Sequence, residues 1–141
     1  MKPFYLLDTN VISELSKPEP NMYLLRSMRE KERHCAICST VWQEAVLGCE
    51  LIPEGRKKKQ LEIYLQKIKE TYDIIPYDSF SAQIFGELRT RCQRAGTPAP
   101  FSDTQIAATA IAHNMILITH NTADFAPISA VSMLRYEDWW K

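Results

Sequence analysis

Four short apolar runs punctuate the chain: FYLL at residues 4–7, CAIC at 35–38, DII at 73–75 and MILIT at 115–119. A weaker fifth, AVSML, spans 130–134. Each is too short for a helix and lacks polar alternation, so each reads as a strand covered on both faces. Between them the apolar spacing changes to that of helices. Residues 21–33 carry Met22, Leu25 and Met28, and a second helix from Thr40 carries Val41, Ala45 and Cys49. A third opens at Pro53, a fourth behind Asp78 as N-cap, and a fifth behind Ser102 as cap, with Asn114 as its stop. Strands alternating with helices predict a three-layer α/β/α sandwich around a mainly parallel sheet of four to five strands.

At 141 residues, with neither repeat nor linker, the expectation is one domain spanning 1–141. Lys plus Arg and Asp plus Glu number 17 each, so net charge points to no polyanionic partner, although a local basic patch can still bind nucleic acid. No apolar run approaches the ~20 residues of a membrane span, and the N-terminus lacks the pattern of a signal peptide. A cytoplasmic protein with no membrane role is expected, with Cys35, Cys38, Cys49 and Cys92 reduced. The C-x-x-C at 35–38 lies in a strand segment without a second ligand pair, so it reads as buried apolar cysteine rather than zinc or redox chemistry.

The acids fall in a pattern. Asp8 ends the first strand, Glu44 lies one turn into the helix after the second, Asp103 opens the fifth helix, and Asp124 follows the fourth strand by five residues. In an open parallel sheet, ligand sites form beyond the carboxyl ends of the strands. Each acid also has a plain structural use, as a helix cap, a solvated helical residue, a first-turn acid or a turn stabiliser. Together they form a cluster that cannot stay ionised unaided, since two charges ~4 Å apart repel by roughly 4 kcal/mol at an effective dielectric near 20. Raised pKa values or a divalent cation must answer this. An all-oxygen donor set suits Mg²⁺ or Mn²⁺, and such sites position phosphodiesters and activate water.

The segments LLDTNVISEL, STVWQEAVLG and FSDTQIAATAIAHNMILITHNTADF resemble PIN-domain ribonucleases of the VapC toxin type, including the FitB-like branch. The resemblance implies a metal-dependent endoribonuclease, the toxin of a VapBC-type toxin–antitoxin module. It places Asp8, Glu44, Asp103 and Asp124 on the family's four acidic positions, as ligands of one or two Mg²⁺ or Mn²⁺ ions, with Glu44 either a ligand or the base that orients water. Asn10, Thr119 and Asn121 fall on its supporting polar positions: Asn10 to order the loop around Asp8, Thr119 and Asn121 to support the last acid. His120 sits where members vary and receives no catalytic role, although a phosphate contact is open to it. RNA contact is expected from Arg89, Arg91 and Arg94 before the 95–100 loop, with Arg26, Arg29 and Arg33 as a second set and RKKK at 56–59 read as a solvated helix start. A VapB-like antitoxin and a homodimer, or a hetero-oligomer with the antitoxin, are the implied partners. The apolar residues Trp42, Leu47, Leu51 and Ile63 fit either such an interface or a wider core. The competing class is a non-catalytic RNA- or partner-binding module. Asn10, standing where an aspartyl phosphohydrolase needs its second acid, weighs against that third class.

Overall fold

The computed structural model describes residues 3–141. Five strands, β1 (Tyr5–Leu7), β2 (Cys35–Cys38), β3 (Ile74–Ile75), β4 (Ile116–Ile118) and β5 (Tyr136–Glu137), form one sheet in the order β3-β2-β1-β4-β5. Every pairing is parallel. Seven α-helices flank the sheet: α1 (Thr9–Leu15), α2 (Met22–Lys31), α3 (Ser39–Glu50), α4 (Arg56–Thr71), α5 (Ser79–Arg94), α6 (Phe101–Ala112) and α7 (Thr122–Ala130). All four residues of β2 are buried, as covering on both faces requires. The core joins Leu6, Leu7, Ile37, Leu117 and Ile118 of the strands to Val11, Leu24, Leu88, Ile106 and Phe125 of the helices. No helix among the described residues is long and apolar enough to cross a membrane.

This strand order fixes the site. From β1 the chain builds outward to β2 and β3, then returns to lay β4 on the other side of β1. The crevice at such a reversal is where ligands bind in this class of sheet. Leu7 is in register with Ile118, so Asp8 and Thr119, the next residue of each strand, emerge side by side. The Asp8 backbone N–H donates to the Ile118 carbonyl at 2.9 Å and completes that alignment.

Several expected boundaries move. The fifth strand is Tyr136–Glu137, paired with Leu117 and Ile118, and not 130–134. The AVSML stretch instead closes α7 as a turn: the Ser132 hydroxyl donates to the Ile128 carbonyl at 2.6 Å and accepts the Leu134 N–H at 3.2 Å. Only Leu134 of its last residues is buried, while Met133 is 85% exposed. Helix α7 itself was hidden by Pro127 within it, although Phe125 and Ile128 keep the i, i+3 spacing of a buried face. Short, β-branched α1 carries little helical signal of its own; it is held by burial of Val11 and Ile12 and by Asp8 as its N-cap. Helix α4 begins at Arg56, behind Gly55 at φ 151°, and not at Pro53. Helix α6 begins at Phe101 behind Pro100, and the Thr104 hydroxyl and N–H both donate to the Pro100 carbonyl, so Ser102 is not its cap.

All four cysteines are free and buried. Burial pushes the Cys35 thiol up to about 12 and the Cys38 thiol to about 11, which leaves both unreactive at neutral pH. Phe125 is fully buried, so Phe125→Ala should cost about 3–5 kcal/mol in urea unfolding. Met133→Ala, on the surface, should stay within about 0.5 kcal/mol.

Candidate metal centre and its acidic cleft

Asp8 is 4% exposed, and both carboxylate oxygens are engaged. Oδ1 accepts the Thr9 backbone N–H at 2.8 Å, which caps α1. Oδ2 accepts the Thr119 hydroxyl at 2.8 Å and the Asn10 amide at 3.1 Å. Capping and charge compensation are therefore simultaneous uses of one side chain, not alternatives. Burial still pushes Asp8 above its ordinary pKa; the Thr119 and Thr9 hydrogen bonds oppose that shift and the charge of Glu44 adds to it.

Asn10 braces this corner from the first turn of α1. Its amide also donates to Thr119 Oγ1 at 3.1 Å, and its Oδ1 accepts the His120 backbone N–H at 3.2 Å. Thr119 is fully buried. It supports Asp8 directly and reaches the last acid only through Asn121, whose backbone N–H it accepts at 2.9 Å. Asn121 holds Asp124, its amide donating to Oδ2 at 2.6 Å. The expected bracing of the last acid thus belongs to Asn121, and that of the first to Thr119 and Asn10.

Glu44 enters from α3. The Thr9 hydroxyl donates to its Oε1 at 2.6 Å, a contact the sequence reading missed. Thr9 stood inside the D-T-N segment, but nothing local told which of two strands' acids its hydroxyl would reach. Asp103 enters from the first turn of α6. Its carboxyl is pushed up to about 7, first by burial and then by the charges of Asp8 and Asp124, a hydrogen bond with Asp124 and the charge of Glu44. Asp8, Glu44 and Asp124 thus all influence the Asp103 carboxyl. Asp8, Thr9, Asn10, Ser13, Glu44, Asp103 and Asn121 line a cleft of ≈ 340 Å³. Among the described residues no three acids are set around one point; Asp8, Glu44 and Asp103 line the opening, while Asp124, held by Asn121, is outside its lining. The donor chemistry fits a hard divalent cation: all donors are oxygens, and the arrangement lacks positive charge.

The predicted arginines divide. Arg89 is committed to packing: its guanidinium lies against Phe85 and Phe101 at 5.8 and 5.5 Å from the ring centroids and donates to the Ala99 carbonyl at 2.9 Å. It clamps the loop before α6. Arg91 lies 3.9 Å from Glu87 and donates to the Val131 carbonyl at 3.4 Å. Arg94, exposed at the end of α5, has no ion pair among the described residues. In the RKKK run, Lys58 is buried and paired with Glu54 at 3.2 Å, while its three neighbours face solvent.

Comparison with known proteins agrees with this architecture. The PIN-domain family matches residues 5–130. Ribonuclease VapC2 of Rickettsia felis is 30% identical over 97% of this chain and 98% of its own. Toxin FitB of Neisseria gonorrhoeae is 33% identical over 85% of this chain and 89% of its own. The structure of FitAB bound to a DNA fragment contains a chain that superposes with a TM-score of 0.87 at 30% identity, covering 98% of this chain and 96% of that one. With its sheet order, its acids at the strand reversal and these relatives, the chain belongs to the PIN-domain family, in the branch that holds the VapC ribonucleases and the toxin FitB.

Proposed function

We propose that this protein is a Mg²⁺- or Mn²⁺-dependent endoribonuclease and the toxin of a VapBC-type module. The observation that carries the reading is the gathering of Asp8, Glu44 and Asp103 on one cleft at the strand reversal, where burial and the neighbouring acids push the Asp103 carboxyl up to about 7. A cluster that suppresses its own ionisation is built for a cation. Asp8, Asp103 and Asp124 are the direct ligands in this reading. Bound there, a divalent ion supplies Lewis-acid stabilisation of the phosphodiester and makes the attacking water more acidic.

The chain's own groups do the rest. Thr119 and Asn10 hold the Asp8 carboxylate in one orientation, and Asn121 does the same for Asp124. Thr9 ties up Oε1 of Glu44, which fixes the side chain to orient water or accept its proton. Arg94, and Arg91 beyond its loose contacts to Glu87 and Val131, are the candidates of their group for a phosphate contact. Leu47 on α3, Leu51 at its C-cap and Ile63 on α4 are 57%, 75% and 61% exposed. An apolar surface of this kind supports a partner interface, the FitAB and VapBC assemblies support an antitoxin of the VapB kind as its occupant, and a homodimer is the further part of this reading.

Three outcomes follow from the geometry. Asp103→Asn should lower RNA cleavage in Mn²⁺ by about 100-fold or more while the fold is kept; EDTA-resistant cleavage that survives the substitution would refute the nuclease reading. Thr9→Val keeps the backbone cap and side-chain shape but frees Glu44, so kcat should fall by about 10-fold with KM little changed. The third concerns stability without metal. A carboxyl with a folded pKa near 7 and an ordinary value of 3.8 opposes folding once ionised, so its cost is absent below about pH 4 and grows until pH passes 7. Asp103→Asn should therefore raise metal-free stability at pH 8 by on the order of 1–2 kcal/mol after discounting for its partial exposure, and by almost nothing at pH 4. Thermal unfolding at the two pH values reads this directly.

A further inference from the structure

The loop after β4 carries a construction that the acid cluster does not use. The His120 imidazole lies flat on the Trp140 indole, with ring centroids 4.6 Å apart and planes 14° from parallel. Its Nδ1 is 3.1 and 3.3 Å from the two Asp138 oxygens. The Trp140 backbone N–H donates to Asp138 Oδ1 at 2.9 Å, so one carboxylate fixes both rings. The His120 side chain is nonetheless 54% exposed. Trp139, not Trp140, fills the core beneath. Hence one face of the imidazole is covered and the other is open.

Its place is specific. The His120 backbone N–H is bonded to Asn10, and Asn10 and Asn121 both line the acidic cleft. A rigid, half-covered aromatic stack therefore stands on the rim of the proposed cleavage site. Packing does not require it, because an exposed ring contributes little to the core.

We infer that the open face of His120 is a stacking subsite for a nucleobase of the RNA strand entering the cleft, an inference that rests on the nuclease reading above. Single-stranded RNA is held largely by bases stacking on aromatic side chains, histidine among them. A base here extends the Trp140–His120 stack to three rings. The surrounding charge favours a base over a phosphate. The Asp138 carboxylate sits against the edge of the imidazole, 3.1 Å from Nδ1. An approaching phosphate is repelled by that carboxylate, whereas an uncharged base face is not.

The test uses the full chain and single-stranded RNA carrying 2-aminopurine at successive positions, whose fluorescence falls on stacking. Binding is read with Ca²⁺ and cleavage with Mn²⁺. His120→Ala should abolish the quenching and raise KM about tenfold, with kcat within about twofold and thermal stability unchanged. His120→Phe should restore quenching and KM; His120→Lys should restore neither. Quenching by His120→Ala equal to that of the parent overturns the subsite, as does rescue by Lys but not Phe, which would mark a phosphate contact. If the parent quenches through His120 yet cleaves no RNA, the subsite stands and the nuclease reading fails. Cleavage without any quenching sinks the subsite alone.

Discussion

The buried carboxylate of Asp8 is the constraint on which the rest depends. It stands where β1 ends, at the reversal of strand order, and a charge there is costly unless both oxygens are satisfied. Three donors satisfy it: the start of α1, the end of β4 and the Asn10 amide. Those hydrogen bonds join segments more than 100 residues apart in sequence and fix the relative placement of α1 and β4. The same network reaches Asp124 through Thr119 and Asn121, and Glu44 through Thr9. Positioning of all but one of the four acids thus traces back to one buried group and its neighbours.

Asp103 is the exception, and its environment explains the electrostatics. It is carried in by α6, which is anchored through Thr104 to Pro100 and through the Arg89 clamp on Ala99. No cation is among the leading influences on its carboxyl, which are burial and the other acids. The fold therefore answers repulsion at the cleft by protonation and not with a cationic side chain. Stabilising networks lie around the rim, while the centre keeps unpaired negative potential, as a site that recruits a cation requires.

Much of this was legible in the chain because strands buried on both faces leave continuous apolar runs, and four of the five strands showed them. Strand β5 did not: its two residues, Tyr136 and Glu137, are held by register to β4 rather than by an apolar signal of their own. Helices α1 and α7 were missed for related reasons, since one relies on a carboxylate cap and burial and the other contains Pro127. Asp8, Glu44 and Asp124 could be grouped because they follow strand ends, and Asp103 joined them as the first-turn acid of the helix that feeds β4. Which polar residue braced which acid could not be read, because Thr119 to Asp8 and Thr9 to Glu44 are long-range contacts set by sheet register. The arginines show the opposite limit. Spacing placed Arg89 beside the loop to Asp103 correctly, but only packing reveals that two phenylalanine rings and a carbonyl already occupy it.

The central claim is that the cleft holds a protonated carboxyl in the cation's absence and exchanges that proton for the metal. Proton release on Mn²⁺ binding, obtained from calorimetric titrations at pH 6.5 in buffers of different ionisation enthalpy, tests it most directly. With Asp103 near 7, binding should release roughly one proton per protein, and Asp103→Asn should release markedly less. Tight Mn²⁺ binding with no proton release, or no Mn²⁺ binding at all, would contradict the account.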